Sequence, residues 1–342
     1  MSRTADIAQR TLAKRIGASG RVAERVDAAL VRAFQDDGAV CIRQLLNADE
    51  MEILRAGIDA NLAHPSLRAK TASQPDDPGF FIEDFCNWQD NPHYQRAIFE
   101  TPLAETAARL MQSRSVRFYH DHMLTKEPGT RQRTPWHQDQ PYYNIAGVQN
   151  CSMWIAVDPV ARSSTLEFVA GSHRGPWLMP RSFMDKQARW FPEGSLADLP
   201  DIEARRGDFS ILGWELAPGD VVCFHMLALH AAAGVEGGRR RRVFSARFIG
   251  DDIRHAPRPW VTSPAFPGLT EELCEGAAMD HPLFPHAYPA PTGASSSRPT
   301  SPNSDAERRR CWAIQPLQHE ARGVPRRCMM RIPIAGVSCS KH

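Results

Sequence analysis

The stretch Thr134-Pro-Trp-His-Gln-Asp-Gln140 decides how this chain is read. A histidine and a carboxylate two residues apart share a face on an extended strand, where successive side chains alternate. His137 and Asp139 are such a pair. One distant histidine added to them makes a two-histidine, one-carboxylate set. That set holds non-haem Fe(II) on one face and leaves the remaining positions open. His230 is the candidate, closing Gly219-Asp-Val-Val-Cys-Phe-His-Met-Leu-Ala-Leu-His230. The apolar run Val221 to Leu229 before it has the length and composition of a strand. Ala231, Ala232 and Ala233 after it leave room for a ligand.

An HxD pair alone is weak, because 13 histidines give roughly one such match by chance. Its surroundings agree with the reading. Turn-rich Glu127-Pro-Gly-Thr-Arg-Gln-Arg-Thr134 precedes it, and aromatic Pro141-Tyr-Tyr-Asn144 follows. Tyr142, Tyr143 and Asn144 are therefore candidates for the substrate mouth. Arg241 lies eleven residues beyond His230, at the head of a strand-like run to Phe248. A metal triad followed by a fixed cation points to an oxygenase with a dicarboxylate cosubstrate. His225 competes with His230 and reads as mid-strand. The Leu-His-small-small pattern favours His230. His120 and His122 form an HxH pair that could bind metal; satisfied strand histidines are the plainer reading, with His122 a candidate substrate contact. His173 reads as a turn residue.

Working outward, Val22 to Gln35 has a helical period, and Gly38-Ala-Val-Cys-Ile-Arg43 reads as a short strand. Asn47-Ala-Asp-Glu50 is a capping box that opens a helix through Ile53, Leu54, Ile58 and Leu62. Residues 64–92 read as an irregular loop covering the site, and Ile98 to Met111 as one helix. From Val116 short apolar runs alternate with turns: Val116–Lys126, Trp136–Tyr142, Ser152–Asp158, Thr165–Val169, Asp220–Leu229 and Arg241–Ile249. Regular short strands predict a β-sandwich or barrel. Residues 175–218 interrupt them in the manner of a functional loop or lid. The expected organisation is a loosely ordered N-terminus over 1–20, one domain over 21–287 and a Pro/Ser-rich disordered tail over 288–342.

Composition narrows the function. From Pro291 onward nine Lys/Arg face three Asp/Glu, a net of +6. The preceding 290 residues then carry −4 of the overall +2, which argues against nucleic acid as a partner. No stretch of 18 apolar residues predicts a membrane span, and residues 1–10 lack an apolar signal core. The eight cysteines contain no CxxC pair, so free thiols are favoured over disulfides or structural zinc. A cytoplasmic protein with a small-molecule substrate is expected; oligomeric state is not readable.

Taken in order, these pieces resemble the phytanoyl-CoA dioxygenase family, within the Fe(II)/2-oxoglutarate oxygenases. The resemblance covers about residues 25–285. It runs through Phe34–Arg43, Leu45–Asp59, Lys126-Glu-Pro-Gly129, Trp136-His-Gln-Asp139, Phe168-Val-Ala-Gly-Ser-His-Arg174, Gly219-Asp220 and Leu229-His230. It implies a mostly β fold with flanking helices (α+β), a double-stranded β-helix or jelly roll. It also implies Fe(II) on His137, Asp139 and His230, with 2-oxoglutarate and O2 as cosubstrates. Arg241 matches the arginine that pairs with the far carboxylate of 2-oxoglutarate. Thr134 and Trp154 match positions lining the cosubstrate pocket. Ala232 and Ser163-Ser-Thr165 depart from the usual hydroxyl residue and Asn-Gly turn, and neither touches the iron. Related halogenases carry a small residue where Asp139 stands, so hydroxylation is the implied outcome.

Arg241 suits a buried carboxylate because its planar fork binds two oxygens and stays charged. Alternation puts Val243 and Ser245 on its face, with Arg242, Phe244 and Phe248 opposite. Ser245 is therefore a candidate cosubstrate contact. Two other classes share these residues: a catalytically silent jelly-roll binding protein, and a zinc hydrolase using the same triad. The primary substrate, whether an acyl-CoA or a secondary metabolite, is not legible.

Overall fold

Two antiparallel sheets meet across a cavity in the computed structural model of the chain, which describes residues 17–73, 76–179, 191–192, 194–235 and 238–289. Helix α1 (17–25) leads into α2 (Ala28–Asp37), β1 (Ala39–Ile42) and α3 (Ala48–Ala63). Strands β2 (Lys70–Thr71) and β3 (Phe81–Phe85) precede α4 (Pro92–Glu100) and α5 (Leu103–Met111). Then come β4 (Val116–Lys126), β5 (Thr134–His137), β6 (Ile145–Ala146), β7 (Asn150–Ala156), β8 (Leu166–Val169) and β9 (Ile211–Gly213). The chain closes through β10 (Val221–Phe224), β11 (His230–Ala232), β12 (Arg241–Ile249), β13 (Arg254–His255), α6 (Leu269–Glu272) and β14 (His286–Tyr288). The larger sheet runs β1-β10-β7-β12-β4-β3-β2, with β14 also on β4. The smaller runs β5-β11-β8-β9. This is the jelly roll, flanked by helices.

Strand β12 explains the layering. Phe244, Ala246 and Phe248 point to one side and join the main core with Phe34, Leu54, Ile58, Tyr94 and Leu103 from the helices. Val243 and Ser245 point the other way, towards the second sheet. The capping box forms: Asn47 Oδ1 accepts from Glu50 N and Glu50 Oε2 from Asn47 N, both at 2.9 Å. Such a cap is worth about 1 kcal/mol to α3.

Several elements differ from the sequence reading. The Val22–Gln35 helix is broken at Val26–Asp27, where Asp27 instead caps α2 through Leu30 N. The Ile98–Met111 helix is two helices parted at Thr101–Pro102, because proline has no N–H to donate and disfavours helix in the residue before it. Residues 64–92 are not one loop. Strand β3 pairs with β4 over Phe81–Phe85 and extends the larger sheet. The run to Leu229 is not one strand either. Strand β10 belongs to the larger sheet and β11 to the smaller, so the chain must turn between them; Ala228 N bonds His225 O there. His225 sits in that turn rather than mid-strand. Within 175–218, residues 180–190 and 193 lie outside the described residues. So does nearly all of the expected tail, from 290 on, while β14 still pairs with β4 through Tyr288. Cys41, Cys86, Cys151, Cys223 and Cys274 are free thiols. Among the described residues no helix is long and apolar enough to cross a membrane.

Candidate active site

His137 and His230 face each other across the register of β5 and β11, so backbone pairing alone brings them together. Asp139 arrives differently from the alternation argument. Strand β5 ends at His137, and Asp139 has helical φ and ψ at the start of the short 3-10 turn Gln140–Tyr142. That turn is anchored because Asp139 N and Gln140 N both bond Met226 O, at 2.8 and 2.9 Å. Asp139 Oδ1 lies 3.4 Å from His137 Nε2 and 3.7 Å from His230 Nε2. One ligand atom from each of the three falls within 4.8 Å of the others. No other such group of three occurs among the described residues.

The backbone fixes both rings. His137 Nδ1 sits 2.8 Å from Pro135 O and His230 Nδ1 2.8 Å from Ala228 O, so both Nε2 atoms turn to the centre. Carbonyl partners of this kind set the tautomer that leaves Nε2 free to ligate. The carboxylate is divided. Its Oδ1 faces the imidazoles, while Oδ2 takes Arg247 Nη2 at 3.3 Å and Ser152 Oγ at 3.5 Å. Burial alone would raise the Asp139 pKa, but Arg247 and the two imidazoles outweigh it and hold the group well below the usual carboxylate range. Burial and neighbouring His137 push His230 down to about 3. Neutral imidazoles and an ionised carboxylate are what a divalent cation needs, so the donor set fits Fe(II).

The His230 shift makes a stability prediction for metal-free protein. Its folded pKa lies below the unfolded value of about 6.5, so only the unfolded chain takes the proton between that pH and about 3. Stability contributed by neutral His230 is complete above pH 6.5 and is lost as the pH falls, by up to about 1.4 kcal/mol per pH unit. Urea unfolding at several pH values should show that loss, with a shallower slope in His230→Gln. An unchanged slope would mean that His230 titrates normally in the folded protein.

The triad opens on a cavity of about 330 Å³ between the sheets. Thr134, Trp154, Arg241, Ser245, His122, Tyr142 and Tyr143 line it. Asn144 does not. Its Oδ1 accepts from Tyr119 OH at 2.7 Å, so it holds the ring that packs on Tyr143. Arg241 is 5% exposed; its Nη1 donates to Ser164 O and its guanidinium lies 5.5 Å from the Trp154 ring. No carboxylate pairs with it among the described residues, and burial brings its pKa down to about 10, so it remains charged at neutral pH. Ser245 Oγ is buried beside it without a partner. Ala232 faces Thr134 across β11 and β5 and packs there.

Three of the other histidines weighed from the sequence take these places. His225 takes Val148 O at Nε2 and Leu227 N at Nδ1. His173 is bonded to Gln35 O. His122 reaches the cavity and stacks on Phe85 at 3.9 Å, and it belongs to no metal-ligating group of three among the described residues. Trp136 donates its indole N–H to Glu203 Oε1 at 2.8 Å.

Several cavity residues escaped the sequence reading, and two of them bear on the site. Arg247, on the same alternation as Arg241 and Ser245, bonds Tyr143 OH at 3.0 Å as well as Asp139. Continuing the alternation two residues past Ser245 would have found it. Glu83 lines the wall through β3, and its signal was Phe81-Ile-Glu-Asp-Phe85, an alternating strand inside a segment taken as loop.

Fold and site together define a jelly-roll protein with a two-histidine, one-carboxylate metal centre. The chain belongs to the phytanoyl-CoA dioxygenase (PhyH) family, whose model matches residues 34–243. A probable phytanoyl-CoA dioxygenase from Caenorhabditis elegans is 22% identical over 235 residues, 64% of this chain and 66% of that protein. The chain therefore matches just under two thirds of that relative's length. Among solved structures, the non-heme alpha ketoglutarate dependent carbocyclase SnoK from nogalamycin biosynthesis aligns with TM-score 0.61 and 20% identity, covering 78% of this chain and 98% of SnoK. The epimerase SnoN, solved with Fe3+, alpha ketoglutarate and nogalamycin RO, aligns at 0.58 and 20%, over 76% and 97% of the two chains. EctD from S. alaskensis, solved with 2-oxoglutarate and 5-hydroxyectoine, aligns at 0.55 and 19%, over 74% and 85%. At these identities the likeness is one of fold.

Proposed function

We propose that this chain is an Fe(II)- and 2-oxoglutarate-dependent dioxygenase that hydroxylates an unactivated C–H of a small organic substrate. The balance is R–H plus 2-oxoglutarate plus O2 giving R–OH, succinate and CO2. One observation carries the reading: the His137–Asp139–His230 centre shares its cavity with Arg241, a buried cation that has no carboxylate partner among the described residues. A silent binding protein has no need of that cation, and a hydrolase has no dicarboxylate to hold with it.

His137, Asp139 and His230 would hold Fe(II) on one face, leaving three adjacent positions open. Bound there, the metal supplies O2 activation coupled to oxidative decarboxylation of 2-oxoglutarate. The protein supplies orientation. Arg241 receives the far carboxylate, Ser245 Oγ offers a hydrogen bond beside it, and Thr134 and Trp154 form the cosubstrate walls. Leu166, Phe224 and Trp154 keep that end apolar, which strengthens the ion pair. Arg247 holds Asp139 by Oδ2 and so presents Oδ1 to the metal. His122, Tyr142 and Tyr143 border the space left for the substrate.

Anaerobic Fe(II) titration is expected to saturate at one ion per chain, and a weak visible absorption band to rise only when 2-oxoglutarate follows. Asp139→Ala should lose both the tight iron site and the band. An Asp139→Ala protein that bound iron and turned over like the parent would remove the triad assignment.

A further inference from the structure

Five carboxylates are buried among the described residues: Glu83, Asp84, Asp121, Asp139 and Asp220. Four have ample donors. Asp84 accepts from Asn61, Ser66 and Phe85. Asp121 takes the backbone N–H groups of Asn87 and Trp88. Asp220 takes Arg43, Gln44 and Ala217. Asp139 has Arg247 and the triad imidazoles.

Glu83 is the exception. Among the described residues its side chain has one ion-pair contact, His122 Nε2 at 3.3 Å from Oε2, and Lys70 stands opposite it in the β2–β3 register and adds positive charge. The His122 nitrogen is within ion-pair distance but not aligned for a hydrogen bond, so it is itself left without a hydrogen-bond partner. Both groups open on the cavity, from strands β3 and β4, beside the β12 strand that carries Arg241. Buried polar groups are almost always hydrogen-bonded, and a carboxylate offers only acceptors. A buried carboxylate on the cavity wall, with no donor but His122 in ion-pair contact among the described residues, therefore fits a guest that brings donors.

We propose that Glu83, with His122, receives a hydrogen-bond-donating group of the primary substrate, a hydroxyl or an ammonium, and selects substrates by it. This rests on the cavity being the oxygenase site argued above. An alkyl chain at this point would leave the carboxylate desolvated without a further donor. The cavity, about 330 Å³, stands at the low end of ligand pockets and must also hold 2-oxoglutarate. Only a compact, donor-bearing portion of a substrate fits beside the metal. Phe85, stacked on His122, supplies the apolar border of the subsite.

The test uses the full chain, anaerobic, with Fe(II) and 2-oxoglutarate. The probes are short alkylammonium ions and vicinal diols, with ethers and carboxylates of matched length, read by ligand-observed NMR. The parent is expected to bind the donor probes over their matched partners by roughly tenfold or more. Glu83→Ala should abolish that preference. Glu83→Gln keeps an acceptor oxygen without the charge, so it should lose ammonium binding more than diol binding if an amine is the natural group. Equal losses of both would indicate a hydroxyl. Calorimetric titration with 2-oxoglutarate should be unchanged in both variants. A parent that prefers ethers or carboxylates, or binds no donor probe, overturns the proposal. So does a Glu83→Ala protein that binds donors like the parent, or Glu83 variants that lose 2-oxoglutarate as well, since Glu83 would then be structural. A parent that fails to bind 2-oxoglutarate would sink the cosubstrate assignment instead, leaving the donor preference to be read on its own.

Discussion

Arg241→Ala is expected to weaken 2-oxoglutarate binding by roughly 30-fold or more while Fe(II) affinity stays near that of the parent. Losing one partner of a desolvated, hydrogen-bonded charge pair costs about 2–5 kcal/mol. Arg241 meets those conditions: it is buried, still charged, and among the described residues its partners are the Ser164 carbonyl and the Trp154 ring. Arg241→Lys keeps the charge and loses the planar fork, so it should fall between parent and alanine variant. Arg240→Ala is the control. Arg240 is exposed and pairs with Glu127 outside the cavity, so its loss should be nearly silent. Calorimetric titration of the four proteins decides it. Loss of binding in Arg240→Ala with retention in Arg241→Ala would shift the β12 register by one residue. Retention in both would hand the far carboxylate to another cation, and buried Lys126, opposite Arg241 on β4, is the nearest in register.

The parts of the molecule that could be read in advance are those where one local rule acts without competition. The Asn47–Glu50 box fixed the start of α3 because both of its hydrogen bonds are local. Alternation along β12 put Arg241 and Ser245 on the cavity and Phe244 and Phe248 in the main core, because a long central strand has one face on each layer. The errors fall where tertiary contacts overrule such rules. The run through Leu229 is continuously apolar, and nothing in its period says that Phe224 and His230 end in different sheets. Asp139 reaches the centre through a turn held by Met226 O, a partner far along the chain, so the HxD spacing gave the right neighbours through the wrong local geometry. Glu83 was hidden because β3 lies in a segment rich in turns and aromatics, and its pairing partner β4 is remote in sequence. Asn144, though polar and adjacent to Tyr143, is turned away by its bond to Tyr119.

Arg247→Leu should lower the stability of the metal-free protein by about 3–5 kcal/mol, because it removes one partner of a buried ion pair and leaves the other charged. Asp139 would keep Ser152 and the two imidazoles, and Tyr143 OH would lose its bond to Arg247. For a domain of this size that corresponds to a melting temperature lower by roughly 6–20 °C. Fe(II) should narrow the gap. Asp139 turns Oδ1 to the two imidazoles, where the metal would be held, and Oδ2 to Arg247, so either cation would supply positive charge to the same carboxylate. In the parent the two share that task; in Arg247→Leu the metal carries it alone, so its addition should raise the melting temperature of the variant by more than that of the parent. Arg247→Lys, which keeps a cation at the position, should recover part of the loss. Thermal unfolding with chelator and with anaerobic Fe(II) measures all of this. A variant that melts with the parent in chelator would show that Arg247 does not stabilise Asp139. A deficit that Fe(II) leaves unchanged would show that the ion and the guanidinium do not act on one carboxylate, and the divided geometry of Asp139 would have to be given up.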